Sequence, residues 1–272
     1  MSEILNNWLS GKGLPDTLVI DGHIHIGEWP YSPTFDNAGD AVRGAVRYMD
    51  SNGVDAFCAL SGGYIFGRLD YHLGNDFLLK VWDRLRDRMV PFMGVNPCDA
   101  NKNVMREVER MYAAGVRCIK LINDYQDGYP GDGPNLTDVY AYAGEHGMIV
   151  INHHWDEGVI RKIAALYPGA DFIFAHYGGG YQDAVMAEFG NVYSNIWNYG
   201  PLGWLEKGIK KVGACKFMMG SDGFLNALSV GIGPVVFADI SDGDKRAVLG
   251  LNMARLLDRA GALPDKIKKL IN

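Results

Sequence analysis

The sequence predicts a single (β/α)8 barrel, an α/β fold, preceded by a short amino-terminal extension over residues 1–17. Three observations carry that prediction. Short runs rich in β-branched and aromatic residues alternate with amphipathic stretches, eight of each, over about 250 residues, the usual length of such a barrel. Several of the short runs, "MIVIN" and "FIFA" among them, are apolar on both faces, as strands of a parallel sheet covered by helices must be. No linker, repeat or low-complexity tract divides the 272 residues, of which 48% are hydrophobic, enough for one full core. An open, doubly wound sheet is the rival architecture for the same alternation.

In chain order, the strands are expected at 18–25, 54–60, 90–96, 116–121, 148–153, 171–176, 191–195 and 216–220. Helices are expected at 39–52, 75–88, 136–146, 156–167, 181–189, 201–212 and 244–260. "NKNVMREVERMYAAG" supplies the remaining helix, with Val104, Val108, Met111 and Tyr112 along one face. Gly53, Gly115 and Gly147 each stand just ahead of a strand, where a glycine ends the preceding helix. "NDYQDGYPGDGPN", after the fourth strand, reads as a long loop; it lacks the terminal Glu and the regular oxygen spacing of a calcium loop.

The net charge is −6 and no block of basic residues stands out, which argues against nucleic acid or an anionic membrane as partner. A small-molecule substrate is expected instead, and the composition permits a homodimer. Cys58, Cys98, Cys118 and Cys215 form no CxxC pair; Cys58 and Cys118 lie in apolar runs and read as core, so a reducing compartment fits. "MSEILNNWLSGKG" has neither a basic start nor a long apolar run, so a cytoplasmic protein is expected.

The chemistry concentrates at strand ends. In "LVIDGHIHIG", His23 and His25 are two residues apart and share a face of the first strand. "MIVINHHWD" ends the fifth strand with His153 and His154, "DFIFAHYGGG" ends the sixth with His176, and "KFMMGSDGF" ends the eighth with Asp222. All lie at carboxyl ends of strands, the face on which barrel active sites assemble. Imidazoles and one carboxylate around a common point suit zinc or a similar divalent ion.

These segments also resemble a family. "DGHIHIG", "INHHWD", "FAHYGGG" and "FMMGSD" are similar to the signature segments of the amidohydrolase superfamily, and more narrowly to the amidohydrolase-related branch that includes aminocarboxymuconate-semialdehyde decarboxylase. "AAGVRCIKL" and "AVLGLNMARLLD" extend the likeness from about Val19 to Asp258. The resemblance implies one divalent ion, Zn2+ first and Mn2+ or Fe2+ as alternates, held by His23, His25, His153 and Asp222. His176 would lie beside the ion as a base or bind a second ion. His153 is preferred to His154 because it shares a face with Ile149 and Ile151. Asp222 or His176 would take a proton from a metal-activated water, whose pKa falls from about 15.7 to about 7.

Lys120 in "CIKL" stands where binuclear members carry a carbamylated, metal-bridging lysine; in a one-metal enzyme it would contact a substrate carboxylate or serve a structural ion pair. Asp21 is expected to support a ligand imidazole or its backbone. Substrate contacts are expected from Trp29, Arg68, His154, Trp155 and Tyr177 in the loops after the strands. The leading expectation is a hydrolase of an amide, lactone or ester of a small carboxylated or cyclic compound. A non-oxidative decarboxylase of an aromatic or ring-opened unsaturated acid is the alternative, and a non-catalytic metabolite-binding barrel is the third reading.

Overall fold

A computed structural model of the chain describes residues 2–27, 35, 37–67, 70–197 and 203–271. It opens with α1 (Glu3–Leu9), started by the Ser2 side chain, which accepts the Leu5 amide at 3.1 Å. The alternation then runs β1 (Ile20–Ile26), α2 (Ala38–Asn52), β2 (Ala56–Ser61), α3 (Tyr71–Trp82), β3 (Met89–Gly94), α4 (Asn101–Ala113), β4 (Cys118–Leu121) and α5 (Pro134–Glu145). It continues through β5 (Ile149–Asn152), α6 (Glu157–Leu166), β6 (Asp171–Phe174), α7 (Tyr181–Glu188), β7 (Val192–Ile196), α8 (Trp204–Val212) and β8 (Phe217–Met219). Four helices follow: α9 (Ser229–Val236), α10 (Asp242–Arg246), α11 (Asn252–Arg259) and α12 (Asp265–Ile271).

The eight strands pair in parallel and in sequence order, so the expected barrel is the observed one. Each expected strand is present within a few residues. Gly53, Gly115 and Gly147 all adopt positive φ, 65°, 101° and 63°, the left-handed conformation that stops a helix. On α4, Val104, Val108 and Met111 are fully buried, as the helical spacing demanded. Three helices were not foreseen: α1 in the extension, α9 and α12. "SVGIGPVV" carries two glycines and Pro234, which by local preference mark a loop; packing on the barrel overrides that preference.

Inside the barrel, Cys58, Leu60, Cys118, Ile151, Ile173 and Met218 form one apolar cluster with Met253 and Leu257 of α11. Arg259 at the end of α11 donates to Asp171, the first residue of β6, at 2.6 and 3.0 Å. The helix therefore covers the amino-terminal mouth of the barrel. Cys58 and Cys118 are buried and free, as expected of core residues.

Two departures from regularity shape the other mouth. Between Asp21 and Ile24, β1 carries one residue more than β2, a bulge that shifts the phase of the strand. Strict alternation would put Ile20, Ile24 and Ile26 on one face. Instead Ile20 packs inside the barrel, while Ile24 and Ile26 join the outer cluster beneath the helices. His23 and His25 are thereby turned inward together. The second departure is the seam. β1 and β8 meet beyond the end of β8, where the His25 amide donates to the Gly223 carbonyl at 3.1 Å and the Gly223 amide to the His23 carbonyl at 3.3 Å.

α9 braces this seam through a close backbone approach. A Cβ at Gly231 would stand 2.5 Å from the Gly220 carbonyl oxygen, so only glycine lets α9 lie against the segment that follows β8. Gly231→Ala is expected to cost about 1–3 kcal/mol of stability by forcing the two apart. A thermal melt read by circular dichroism checks this, and an unchanged midpoint would mean that the helix can slide freely.

Candidate metal centre

Burial brings three ligand atoms to one point. His23, His25 and Asp222 are 1%, 8% and 7% exposed. Their side chains arrive from the inward face of β1 after the bulge and from the turn after β8. His23 Nε2 and His25 Nε2 are 3.2 Å apart, and Asp222 Oδ1 lies 3.4 Å from the first and 3.0 Å from the second. Tetrahedral zinc with bonds of about 2.0–2.1 Å holds its ligands about 3.3 Å apart. An octahedral ion at about 2.1 Å holds neighbouring ligands about 3.0 Å apart. The triangle fits either. Shared protons hold two imidazoles and a carboxylate at this range, and a divalent cation can replace them, since the donor chemistry is that of a divalent metal site.

Asp222 reaches the triangle from a backbone held at φ 57°, the left-handed region that aspartate tolerates better than most residues. Burial pushes its carboxyl up, but the hydrogen bond and charge of His25, with the charge of Lys120, outweigh that and hold it below the usual range. Asp21 has another task. Its Oδ1 accepts from the His23 amide at 3.1 Å and from the Ser221 amide at 3.0 Å, so it clamps the two chains that supply the triangle. The expected support to the ligand backbone is thus what Asp21 provides. Burial pushes its carboxyl up to about 7 against the pull of those hydrogen bonds.

Two more imidazoles stand beside the triangle: His176 and the expected ligand His153, neither of which belongs to the converging set. The ring of His176 stacks near His23, with centroids 5.6 Å apart, and touches His153 edge-on at 4.6 Å and Trp197 at 4.7 Å. Burial, then the charge of Lys120, holds His176 down to about 2, so its ring is neutral; His23 is also held far below its ordinary value by burial and Lys120. The His153 ring places its Nδ1 2.6 Å from Asp124 Oδ2. Lys120, 1% exposed on β4, has its ammonium pulled down to about 8 by burial, against the attraction of Asp222 and Asp124.

Other expected residues lie elsewhere. His154 is exposed and turns to Asp156 at 3.5 Å, away from the imidazole row. Trp155, expected to meet substrate, is instead fully buried: its indole N–H donates to the Tyr140 hydroxyl at 3.1 Å and its ring packs on Phe172 and Phe174, outside the barrel wall. Tyr177 likewise packs against Phe217 and Trp204 and donates its hydroxyl to Asp183 at 2.6 Å, so neither ring offers a face to the site. Trp29 and Arg68 lie outside the described residues. Asp124 went unrecognised in the sequence because it sits in a loop of many turn-forming residues, and only the fold brings it to His153.

A barrel of eight parallel strands, with two first-strand histidines and an aspartate after the eighth strand meeting at its carboxyl-terminal mouth, is an enzyme-type barrel with a candidate metal site. The chain belongs to the amidohydrolase family, whose model matches residues 20–259. No curated protein matches the sequence. Among solved structures, 5-carboxyvanillate decarboxylase from Sphingomonas paucimobilis is 15% identical with a TM-score of 0.68, over 89% of this chain and 99% of that one. 2,6-Dihydroxybenzoate decarboxylase from Rhizobium is 13% identical with a TM-score of 0.63, over 89% and 98%. A dihydroxybenzoic acid decarboxylase from a Polaromonas species, solved with manganese and the inhibitor 2-nitroresorcinol, is 14% identical with a TM-score of 0.65, over 91% and 99%. Among the described residues, no helix is long and apolar enough to cross a membrane.

Two measurements test the centre. Elemental mass spectrometry of His25→Ala is expected to show the divalent metal per chain sharply reduced from wild type, whereas His154→Ala retains it. Asp21 gives a pH signature in metal-free protein. Its folded pKa near 7 exceeds the unfolded value of about 3.9, so the folded state holds the proton more tightly. Stability is therefore expected to fall as pH rises from 4 through 7, and Asp21→Asn should flatten that slope in thermal melts.

Proposed function

We propose that this enzyme is a metal-dependent lyase that removes carbon dioxide, without an oxidant, from a small aromatic or unsaturated carboxylic acid. Lys120 carries the reading. It is a buried ammonium whose charge acts on His23, His176 and Asp222, so the pocket places a fixed cation beside the ion site. With a divalent ion also present, the pocket favours an anionic substrate that bridges both charges. Support also comes from the structures of similar fold, several of which are named for the decarboxylation of hydroxylated benzoic acids.

When bound, the ion supplies a Lewis acid that orients the substrate oxygens and balances their charge. The chain's own residues do the rest. Lys120 pairs with the carboxylate and draws the acid into a site closed to water below by the barrel core. Trp197 and the neutral His176, their rings tilted by 52° with centroids 4.7 Å apart, give an aromatic wall against which a planar ring packs. The bond between the ring carbon and the carboxyl carbon breaks, the electron pair stays on the ring, and carbon dioxide leaves. A proton taken up from solvent at the open mouth by His176 or Asp222 is then delivered to that carbon. Both are deprotonated in the empty pocket, and the negative charge developing on the ring raises their proton affinity at the moment of transfer.

Hydrolysis of a lactone, amide or ester is the second reading. It is favoured by the place of Lys120 at the end of β4, where binuclear relatives carry a bridging lysine. A panel of hydroxybenzoates, lactones and amides offered to zinc- and manganese-loaded enzyme separates the two. Release of carbon dioxide matched by deuterium on the ring carbon in D2O supports the lyase, and ring opening or amide cleavage without gas supports the hydrolase. Lys120→Met is expected to raise KM for the acid about 10–100-fold, the worth of a charged hydrogen bond. Because the ammonium is lost as pH rises through about 8, wild-type kcat/KM should decline at or below that pH on the alkaline side, and the variant should lack the decline.

A further inference from the structure

The turn that follows β4, Asn123–Tyr125, has no part in the chemistry described above, yet each of its residues grips the end of β5. Asn123 Oδ1 accepts from Asn152 Nδ2 at 2.8 Å. Asp124 Oδ2 stands 2.6 Å from His153 Nδ1, and the Tyr125 ring meets the His153 ring edge-on with centroids 4.6 Å apart. The next residue fastens the turn to its surroundings: Gln126 Nε2 donates to the carbonyls of Ile65 at 2.7 Å and Val95 at 3.0 Å, in the segments after β2 and β3. The turn is therefore rigidly seated, and so is the carboxylate it carries.

A neutral imidazole has one N–H and one bare nitrogen, and which is which depends on the partner of each. A carboxylate can only accept, so at 2.6 Å from Asp124 the hydrogen belongs on Nδ1. We infer that Asp124 is a positioning residue: it fixes His153 in the Nδ1–H form and leaves Nε2, with its lone pair, as the nitrogen free to bind the ion. This rests on the reading of His153 as a metal ligand. Tyr125 packs the ring from the side and limits its rotation, so the turn sets both the proton and the orientation of the imidazole. A carboxylate in this position also makes the opposite nitrogen a stronger ligand.

The test needs no substrate. In metal-free, 15N-labelled protein at about pH 8, where an ordinary imidazole is neutral, long-range proton–nitrogen correlation spectra distinguish the N–H nitrogen from the bare one. Wild-type His153 is expected to carry its hydrogen on Nδ1; hydrogen on Nε2 would overturn the proposal before any variant is made. Asp124→Ala should lose this preference, and its zinc affinity, measured by competition with a chromophoric chelator, should fall about 10–100-fold. Asp124→Asn, whose amide oxygen still accepts, should recover most of both. His153→Ala is measured alongside and should lose at least as much affinity. Loss in His153→Ala with none in Asp124→Ala overturns the positioning role alone, and full affinity in His153→Ala overturns the ligand reading together with it.

Discussion

The barrel closes at the point where its ligands meet. Between most neighbouring strands the ladder runs along the strand bodies, but β1 is joined to the segment after β8 by two backbone hydrogen bonds, the His25 amide donating to Gly223 and the Gly223 amide to His23, beside Asp222. The Asp21 carboxylate adds a third tie by accepting amides from both sides of that seam. Closure and ligand geometry are thus one constraint. The strand ends cannot separate without pulling the triangle apart, and the triangle cannot form unless the barrel is shut. A metal bound there would draw the two ends together, so its binding free energy would also be folding free energy.

Around this seam burial sets the imidazoles and the lysine, while pairing with His25 and Lys120 sets the Asp222 carboxylate against it. Two imidazoles are kept neutral, a carboxylate is kept ionised and a lysine has its ammonium weakened, all within the reach of one another's charges. Such crowding of perturbed groups is costly in a purely structural core and is characteristic of sites that do chemistry. The opposite mouth shows the contrast: there Arg259 and Asp171 form an ordinary ion pair over an apolar plug.

Much of this was legible from residue order. Alternating apolar runs and helical stripes set out the barrel, because a parallel sheet must be covered on its outer face. His23 and His25 were legible because two residues apart on a strand means one face, and that relation survives the bulge. Ile20 was not, since an extra residue in β1 inverts the phase and nothing local announces it. Parity also favoured His153 over His154; the two side chains do diverge, His153 toward Asp124 and His154 toward Asp156. It could not reveal that Trp155 and Tyr177 turn outward to pack beneath helices, because the chain leaves the strand geometry just past β5 and β6. Asp124 escaped notice for a related reason. Its partner is 29 residues away, and a loop aspartate looks alike whether it binds solvent or an imidazole.

The helix beneath the barrel has a kinetic consequence. With α11 filling one end, the described residues leave the opposite mouth as the way into the interior, and what enters there must go out by the way it came. A product that lingers in the mouth obstructs its successor, so turnover can be governed by the order of departure as much as by bond breaking. For the proposed lyase reaction, a small, weakly held gas and a larger, well-held ring would leave on very different schedules in that geometry, and the exit of the slower one would set the pace.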